Sequence, residues 1–494
     1  MEKQIVATYQ PIRVVIVLVA ILFAGCTSLS HRTAVLPDIA VPTAWSTTES
    51  TGVPNNTTSL AQWWQRFNDP LLSKLVTQAL QANTSVKSAQ AALLQARALR
   101  DVQAAGLMPS VTGTASAQRS RSGSTGASNV FNAGFDASWE PDVFGANRSA
   151  LNATEADAQA SAATLANVQV SIAAEVAVDY IQLRGTQARL AIARDNLASQ
   201  METLQITDWR LQAGLTSSLE AEQARTASEQ TRAQIPTLVT SVLQTQHSIA
   251  VLTGQTPDAL QTQLTEIGPV PEAADDLALH IPAETLRQRA DVRAAEHQVS
   301  AALARVDQAD AARYPSFQLS GSMGLQALTL GSLTGGGTVV SALLGSVSVP
   351  VFDDGAAKAQ VHAQEGAFEQ ARMNYQAVVL TALKDVEDTL IALRGDRERL
   401  ISLRNAAEAA GNAALLARQR YASGVIDFQT VLDTQRTLLS AQDSVASTAT
   451  DLSSDHVRLY KALGGGWQPG NESIISSATQ ADTPVSNIPS SGRP

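Results

Sequence analysis

The sequence predicts a mainly α protein that carries a transmembrane β-barrel. Three observations predict it: a tandem repeat of about two hundred residues, heptad spacing along alanine-rich stretches, and four segments of about ten residues in which apolar and polar side chains alternate. Composition narrows the function classes. Lys plus Arg number 35 and Asp plus Glu 45 in 494 residues, a net charge of −10, so nucleic acid is not an expected partner. Aromatics make up 4%, which leaves packing mostly to Ala, Leu and Val. The single cysteine excludes an internal disulfide and any Cys-rich metal centre. His31, His247, His280, His297, His362 and His456 are scattered without ligand spacing. No G-x-S-x-G is present, and the run Gly335-Gly336-Gly337 has no Lys after it. The expectation is a protein with no metal, no cofactor and no enzymatic site.

Residues 1–25 read as a lipoprotein signal peptide. Lys3 and Arg13 precede the apolar stretch Val14 to Ala24, which is too short for a membrane span of roughly 20 residues. Ala24 and Gly25 are the small residues before Cys26, although the usual Leu three places before the cysteine is here Phe23. Cys26 is therefore the expected lipidation site, anchoring the mature chain to outer-membrane lipid. Residues 26–68 form an N-terminal anchor and extended segment.

The body is two copies of one unit, 69–254 and 283–466. Arg184-Gly185 recurs as Arg394-Gly395, Arg189-Leu190 as Arg399-Leu400, Arg210 as Arg420, Gly214 as Gly424 and Gly254 as Gly464, each at an offset of 210. Pro109-Ser110 recurs as Pro315-Ser316 at 206, and Phe144 as Phe352 at 208. Each copy reads helix, two strands, helical hairpin. In the first, Asp69-Pro70 is an N-cap followed by Pro at the first helical position, and one helix is expected from there to Gly106. Its counterpart is expected from about Ala283 to Ala312. Leu183, Leu190, Leu197, Leu204 and Leu211 keep strict sevens, the spacing of supercoiled helices.

Strands are expected at 111–118, 131–140, 317–326 and 339–349. Phe131, Ala133, Phe135, Ala137 and Trp139 share one face, with Asn132, Gly134, Asp136, Ser138 and Glu140 on the other. Phe317 to Gln326 alternates likewise, whereas 339–349 is apolar on both faces in part. Such strands suit a barrel with a wet interior, and four cannot close, since small barrels need about eight. The chain must therefore oligomerise. The loops 119–129 and 327–338 are expected outside, the helices in the periplasm. Residues 255–282 read as a linker or equatorial segment and 467–494 as a flexible tail.

Trp63-Trp64-Gln65-Arg66-Phe67-Asn68-Asp69-Pro70, Arg289-Ala290-Asp291-Val292-Arg293, Tyr314-Pro315-Ser316, Pro350-Val351-Phe352-Asp353 and Arg420-Tyr421-Ala422-Ser423-Gly424 resemble the outer-membrane factors of tripartite efflux pumps, nearest the OprM-like and NodT-like lipoproteins, which are related to TolC. The resemblance spans roughly residues 22 to 466. It implies a homotrimer with a twelve-stranded barrel, four strands per chain, continuing into a periplasmic α-barrel of coiled helices. It also implies two partners, a periplasmic adaptor (membrane fusion) protein and an inner-membrane resistance-nodulation-division transporter. The implied function is a passive exit duct for drugs or other small molecules.

By the same resemblance, Gly214 and Leu215 in the first hairpin turn, and Gly424 and Val425 in the second, match the tips that meet the adaptor. Both glycines are also ordinary helix C-cap residues. Asp433 matches a tunnel-constricting aspartate and Tyr421 a gate residue. Relatives have a second Asp where this chain has Thr430 and an Arg where it has Ile426, so a salt-bridged gate does not carry over to those positions. Two other functions fit parts of the pattern. A duct for type I protein secretion shares the architecture, and a non-channel coiled-coil lipoprotein accounts for the heptads without the strands.

Overall fold

The computed structural model describes residues 36–37, 45, 60–121, 123, 126–273, 283–335 and 338–466. The signal peptide, Cys26 and the tail 467–494 lie outside the described residues. The elements run α1 (Pro70–Ala82), α2 (Thr84–Ala105), β1 (Ser110–Ser120), β2 (Ser128–Trp139), α3 (Ala146–Gln212), α4 (Ser218–Leu252), the one-turn α5 (Gln261–Leu264), α6 (Ala290–Ala311), β3 (Ser316–Ala327), β4 (Val339–Ser348), α7 (Ala356–Ala422) and α8 (Phe428–Ala462). The repeat is legible in the lengths. Helices α3 and α7 have 67 residues each, α4 and α8 have 35 each, and α2 and α6 have 22 each.

Two helix boundaries differ from expectation. The first helix breaks at Asn83, whose side chain caps the next one: Oδ1 accepts from Ser85 N–H at 2.8 Å and Val86 N–H at 3.3 Å. Its Nδ2 donates to Leu252 O at 2.8 Å, so a tertiary contact fixes a break that periodicity does not register. In the second copy the α-helix starts at Ala290, not Ala283, because Ala283–Gln288 is a 3-10 turn. The strands also reach further than expected at the loop side, to Ser120 and from Ser128.

By internal contacts the chain forms two units, each drawing on both copies. The first includes residues 99–155 and 299–370 and holds the sheet. Strand order is β1-β2-β3-β4, antiparallel throughout, so β2 and β3 join the copies. The register collects Val111, Phe135, Ala137, Leu319, Met323, Leu325, Leu343 and Val347 on one face. The other face carries cross-strand polar pairs: Thr114 Oγ1 donates to Asp136 Oδ2 at 2.9 Å, Asn132 Nδ2 to Ser116 Oγ at 3.3 Å, and Gln318 Nε2 to Ser138 Oγ at 3.2 Å. Val340, Ala342 and Leu344 of β4 fall on this polar face, which is why that strand reads apolar on both sides. Aromatics gather at the end of the sheet near Trp139. Phe144 stacks on Tyr314, ring centroids 5.0 Å apart, and on Phe317 at 6.3 Å. Within one chain, β1 and β4 each pair on one side only, and such edges cannot face lipid unsatisfied.

Among the described residues, the second unit includes 60–98, 156–273, 283–298 and 371–466. Its core brings Trp63, Leu72, Leu75 and Val76 against Val176, Ile181, Leu183, Ile249 and Tyr460. Trp63 stacks on Tyr460 at 5.6 Å. Asp69 caps α1, accepting from Leu71 N–H at 2.8 Å and Leu72 N–H at 3.0 Å. Its other oxygen accepts from the Tyr180 hydroxyl at 2.8 Å, and Arg184 Nε in turn donates to that hydroxyl at 3.1 Å. Burial pushes the Tyr180 phenol up to about 12, so it stays a donor.

Candidate functional site

The hairpin tips lie in the second unit. At the first, α3 ends in a turn closed by Gly214, φ +70°, with Leu215 N–H donating to Arg210 O at 2.8 Å. At the second, Gly424 has φ +71° and Val425 N–H donates to Arg420 O at 2.9 Å. These left-handed glycines follow directly from the turn, since an L side chain is strained there. The helices restart on Ser217 and Asp427, whose side chains accept from Glu220 N–H and Thr430 N–H. Leu215 and Val425 crown the tips, 69% and 70% exposed.

Tyr421 does not stand alone. Its ring lies under the Arg210 guanidinium, 4.5 Å from carbon to centroid, and tilts against Phe428 at 5.3 Å. Its hydroxyl donates to Glu220 Oε2 at 3.2 Å, the same oxygen that accepts from Thr216 Oγ1. Arg210 Nη1 also reaches Tyr421 O at 3.4 Å. Beneath this clasp Ala224, Ala227, Phe428, Val431 and Leu432 form a small apolar cluster, with Ile426 packed on its edge. Ile426 and Tyr421 thus share one cluster. Burial raises the Tyr421 phenol above its ordinary value, and Thr216 and Arg210 offset part of that rise.

Asp433 sits apart, one turn into α8, on the face opposite Val431, Leu432 and Gln435. Its side chain is 60% exposed. Gln429 Nε2 donates to its Oδ1 at 3.0 Å, and Arg436 Nη1 stands 3.9 Å from the same oxygen. Further along, α3 and α8 are tied by polar pairs. Arg189 makes a two-pronged contact with Asp443 at 2.6 and 3.0 Å, Asn196 Nδ2 donates to Gln442 Oε1 at 2.9 Å, and Gln435 Nε2 donates to Thr203 Oγ1 at 3.0 Å. Beside this seam a groove of about 650 Å³ is lined by Arg189, Gln200, Thr231, Gln234, Arg436 and Asp443.

Of the expected site residues, the structure brings Tyr421 close to both tips but leaves Asp433 on a separate helix face. Sequence reasoning marked Arg210 and Arg189 as repeat positions but gave them no partners, and it did not register Glu220. Their partners lie 201 to 254 positions away, so spacing cannot reveal them. One signal exists: Arg210 and Arg189 are among the residues that recur at the 210 offset.

The family model described as outer membrane efflux protein matches residues 75–255 and 281–465. The chain is 30% identical to nodulation protein T of Rhizobium leguminosarum bv. viciae over 438 residues, covering 88% of this chain and 90% of the relative. It is 31% identical to the solvent efflux pump outer membrane protein SrpC of Pseudomonas putida over 454 residues, covering 88% and 95%. Among solved structures, the outer-membrane channel OprN matches with a TM-score of 0.81 at 34% identity, covering 88% of this chain and 100% of that chain. The outer membrane protein VceC of Vibrio cholerae matches with 0.78 at 25%, covering 83% and 99%.

Proposed function

The chain belongs to the outer membrane efflux protein family, whose members are outer-membrane channels with periplasmic helices, and from that premise we propose that three copies form the passive exit duct of a tripartite pump. The observation that carries this reading is the four-stranded sheet with one apolar face, one polar face and two unpaired edges. In lipid those edges must pair, and three copies make twelve strands around a wet interior. The periplasmic adaptor docks on Gly214, Leu215, Gly424 and Val425, where small apolar groups crown tight turns and can pack against a helical hairpin. The clasp of Arg210, Tyr421 and Glu220 holds the two tips of one chain together, and Asp433 contributes one carboxylate per chain at the tunnel entrance. An inner-membrane transporter supplies the cargo. Relatives are named for solvent, toluene and antibiotic efflux, which supports small organic molecules as the cargo class. Cys26 carries lipid, and the barrel provides the main membrane hold.

The test is deletion and complementation combined with planar-bilayer recording. Loss of the gene is expected to sensitise cells to organic solvents and antibiotics, and the purified oligomer to open discrete channels. A secreted protein that accumulates in the periplasm of the deleted strain, with drug tolerance unchanged, would favour type I protein secretion instead. A soluble periplasmic monomer would refute the duct.

A further inference from the structure

Charge is shared unevenly between the sheet and the rest of the chain. The four strands and their two connecting loops, residues 110–139 and 316–348, hold only Arg119, Arg121 and Asp136 as charged side chains, in a chain whose net charge is −10. Asp136 belongs to the polar face, where it accepts from Thr114 Oγ1. Both arginines stand at the loop end of β1, the end away from the helices, and residues 119–129 and 327–338 contain no Asp or Glu. The outer rim of an acidic protein is thus purely basic.

Register places Arg119 on the lipid side. Side chains alternate along a strand, so Arg119 falls with Val111, Gly113, Ala115 and Ala117 on the face that carries Phe135, Met323 and Leu343. It is the sole charged residue on that face. A guanidinium there is costly at mid-bilayer and tolerated at an interface, so its depth decides its role. Trp139 marks the periplasmic interface: its Nε1 donates to Leu107 O at 3.1 Å, and it stands one place beyond the Ser110–Ser138 pair. Arg119 lies ten residues along β1 from that level. At about 3.4 Å per residue and a tilt of about 40°, ten residues climb about 26 Å, which matches an apolar band about 25 Å tall. Arg119 therefore reaches the headgroups of the outer leaflet.

Arg121 follows one residue beyond the strand. Both arginines are exposed, and among the described residues neither guanidinium has a carboxylate or a hydrogen-bond acceptor. We infer that Arg119 and Arg121 bind a phosphorylated glycolipid of the outer leaflet, the lipid A portion of lipopolysaccharide. Each planar guanidinium offers two N–H donors to one phosphate, and the apolar face directly below receives the acyl chains. Charge complementarity selects this occupant. A zwitterionic phospholipid carries its own cation beside the phosphate, whereas phosphate monoesters on a sugar leave their charge unmatched. A second copy of this chain brings no carboxylate to the rim either, since its own loops lack one. This inference rests on the barrel of the proposed duct and names what its rim holds.

The test uses the full-length protein extracted from outer membranes in a mild detergent, with retained lipopolysaccharide measured by native mass spectrometry. The unmodified protein is expected to keep it. Arg119→Gln with Arg121→Gln should lower retention about fivefold per arginine, the factor that about 1 kcal/mol per basic group at a membrane surface corresponds to. Arg119→Lys with Arg121→Lys keeps the charge and should retain more than the Gln pair, while Arg225→Gln on the periplasmic helix α4 should retain as much as the unmodified protein. After the lipid is stripped, added lipid A should raise the temperature at which the unmodified trimer dissociates, whereas dephosphorylated lipid A and inorganic phosphate should not. Equal retention by the Gln pair would overturn the site and leave the barrel standing, as would equal protection by dephosphorylated lipid A or by phosphatidylglycerol vesicles. If the Gln pair does not assemble, the contrast between lipid A and its dephosphorylated form on the unmodified protein decides. An unmodified protein that fractionates as a soluble monomer would overturn the barrel as well.

Discussion

At the first hairpin tip Leu215 N–H closes on Arg210 O, and at the second Val425 N–H closes on Arg420 O, each through a glycine near φ +70°. Around these matching turns the side chains diverge. Where the second copy has Tyr421, Phe428 and Asp433, the first has Leu211, Ser218 and Gln223. Where the first has Thr216 and Glu220, the second has Ile426 and Thr430. Duplication therefore preserved the backbone and left the side chains free to specialise. Copy one supplies the cation and the carboxylate of the clasp, copy two the aromatic rings. The reverse pairing of Arg420, Leu211 and Thr430 has no carboxylate and no ring to join.

The comparison breaks most severely where the tips are alike. Gly214→Glu and Gly424→Glu each force an L residue into the left-handed region, costing roughly 1–2 kcal/mol locally, and each sets a charge on a docking surface. Both are expected to lower drug tolerance at least about tenfold, the loss that follows from about 1.4 kcal/mol of docking free energy, with trimers intact by native mass spectrometry. Loss at one tip alone would confine the adaptor to that copy. Where the tips differ, Asp433→Ala is expected to reduce cation selectivity and raise basal conductance, while Gln223→Ala leaves both unchanged. Reversal potentials in a salt gradient measure this.

A smaller effect is expected at the braced seam. Arg189 and Asp443 are 36% and 40% exposed, so screening reduces their ion pair to about 0.5–1 kcal/mol. Arg189→Ala should lower the unfolding midpoint slightly, and Arg399→Ala, 3.8 Å from Asp396 on its own helix, should change it less. Calorimetry of both variants in one detergent makes the comparison.

The smallest effect is with pH. Burial raises the Tyr421 phenol above its ordinary value of about 10, so the clasp is fully present below that pH and weakens as pH rises through the higher folded value. Conductance should show an alkaline step that Tyr421→Phe abolishes.

Much of this architecture is legible in the sequence, for reasons that differ by element. The 210 offset marks paired helices because insertions in a supercoiled hairpin would break its heptads, and the 67- and 35-residue helices match across copies accordingly. Alternation marks the strands because one face meets lipid and the other water. Asn83 escapes notice because its break depends on Leu252 O, 169 residues away. Glu220 escapes for the same reason: on its own helix it is one more surface carboxylate, and only the approach of α7 gives it Tyr421.

In the proposed function, side chains from the two copies clasp across the tips and hold the channel entrance closed. Single-channel conductance of a double-mutant cycle, Tyr421→Phe and Glu220→Gln alone and together, tests it most directly. A partly exposed hydrogen bond of about 1 kcal/mol shifts the closed-to-open balance roughly fivefold per chain. The two single variants are predicted to raise open probability to the same extent as each other, and the double variant to add little beyond either one. Fully multiplicative effects, or open probabilities equal to the unmodified channel, would contradict the clasp.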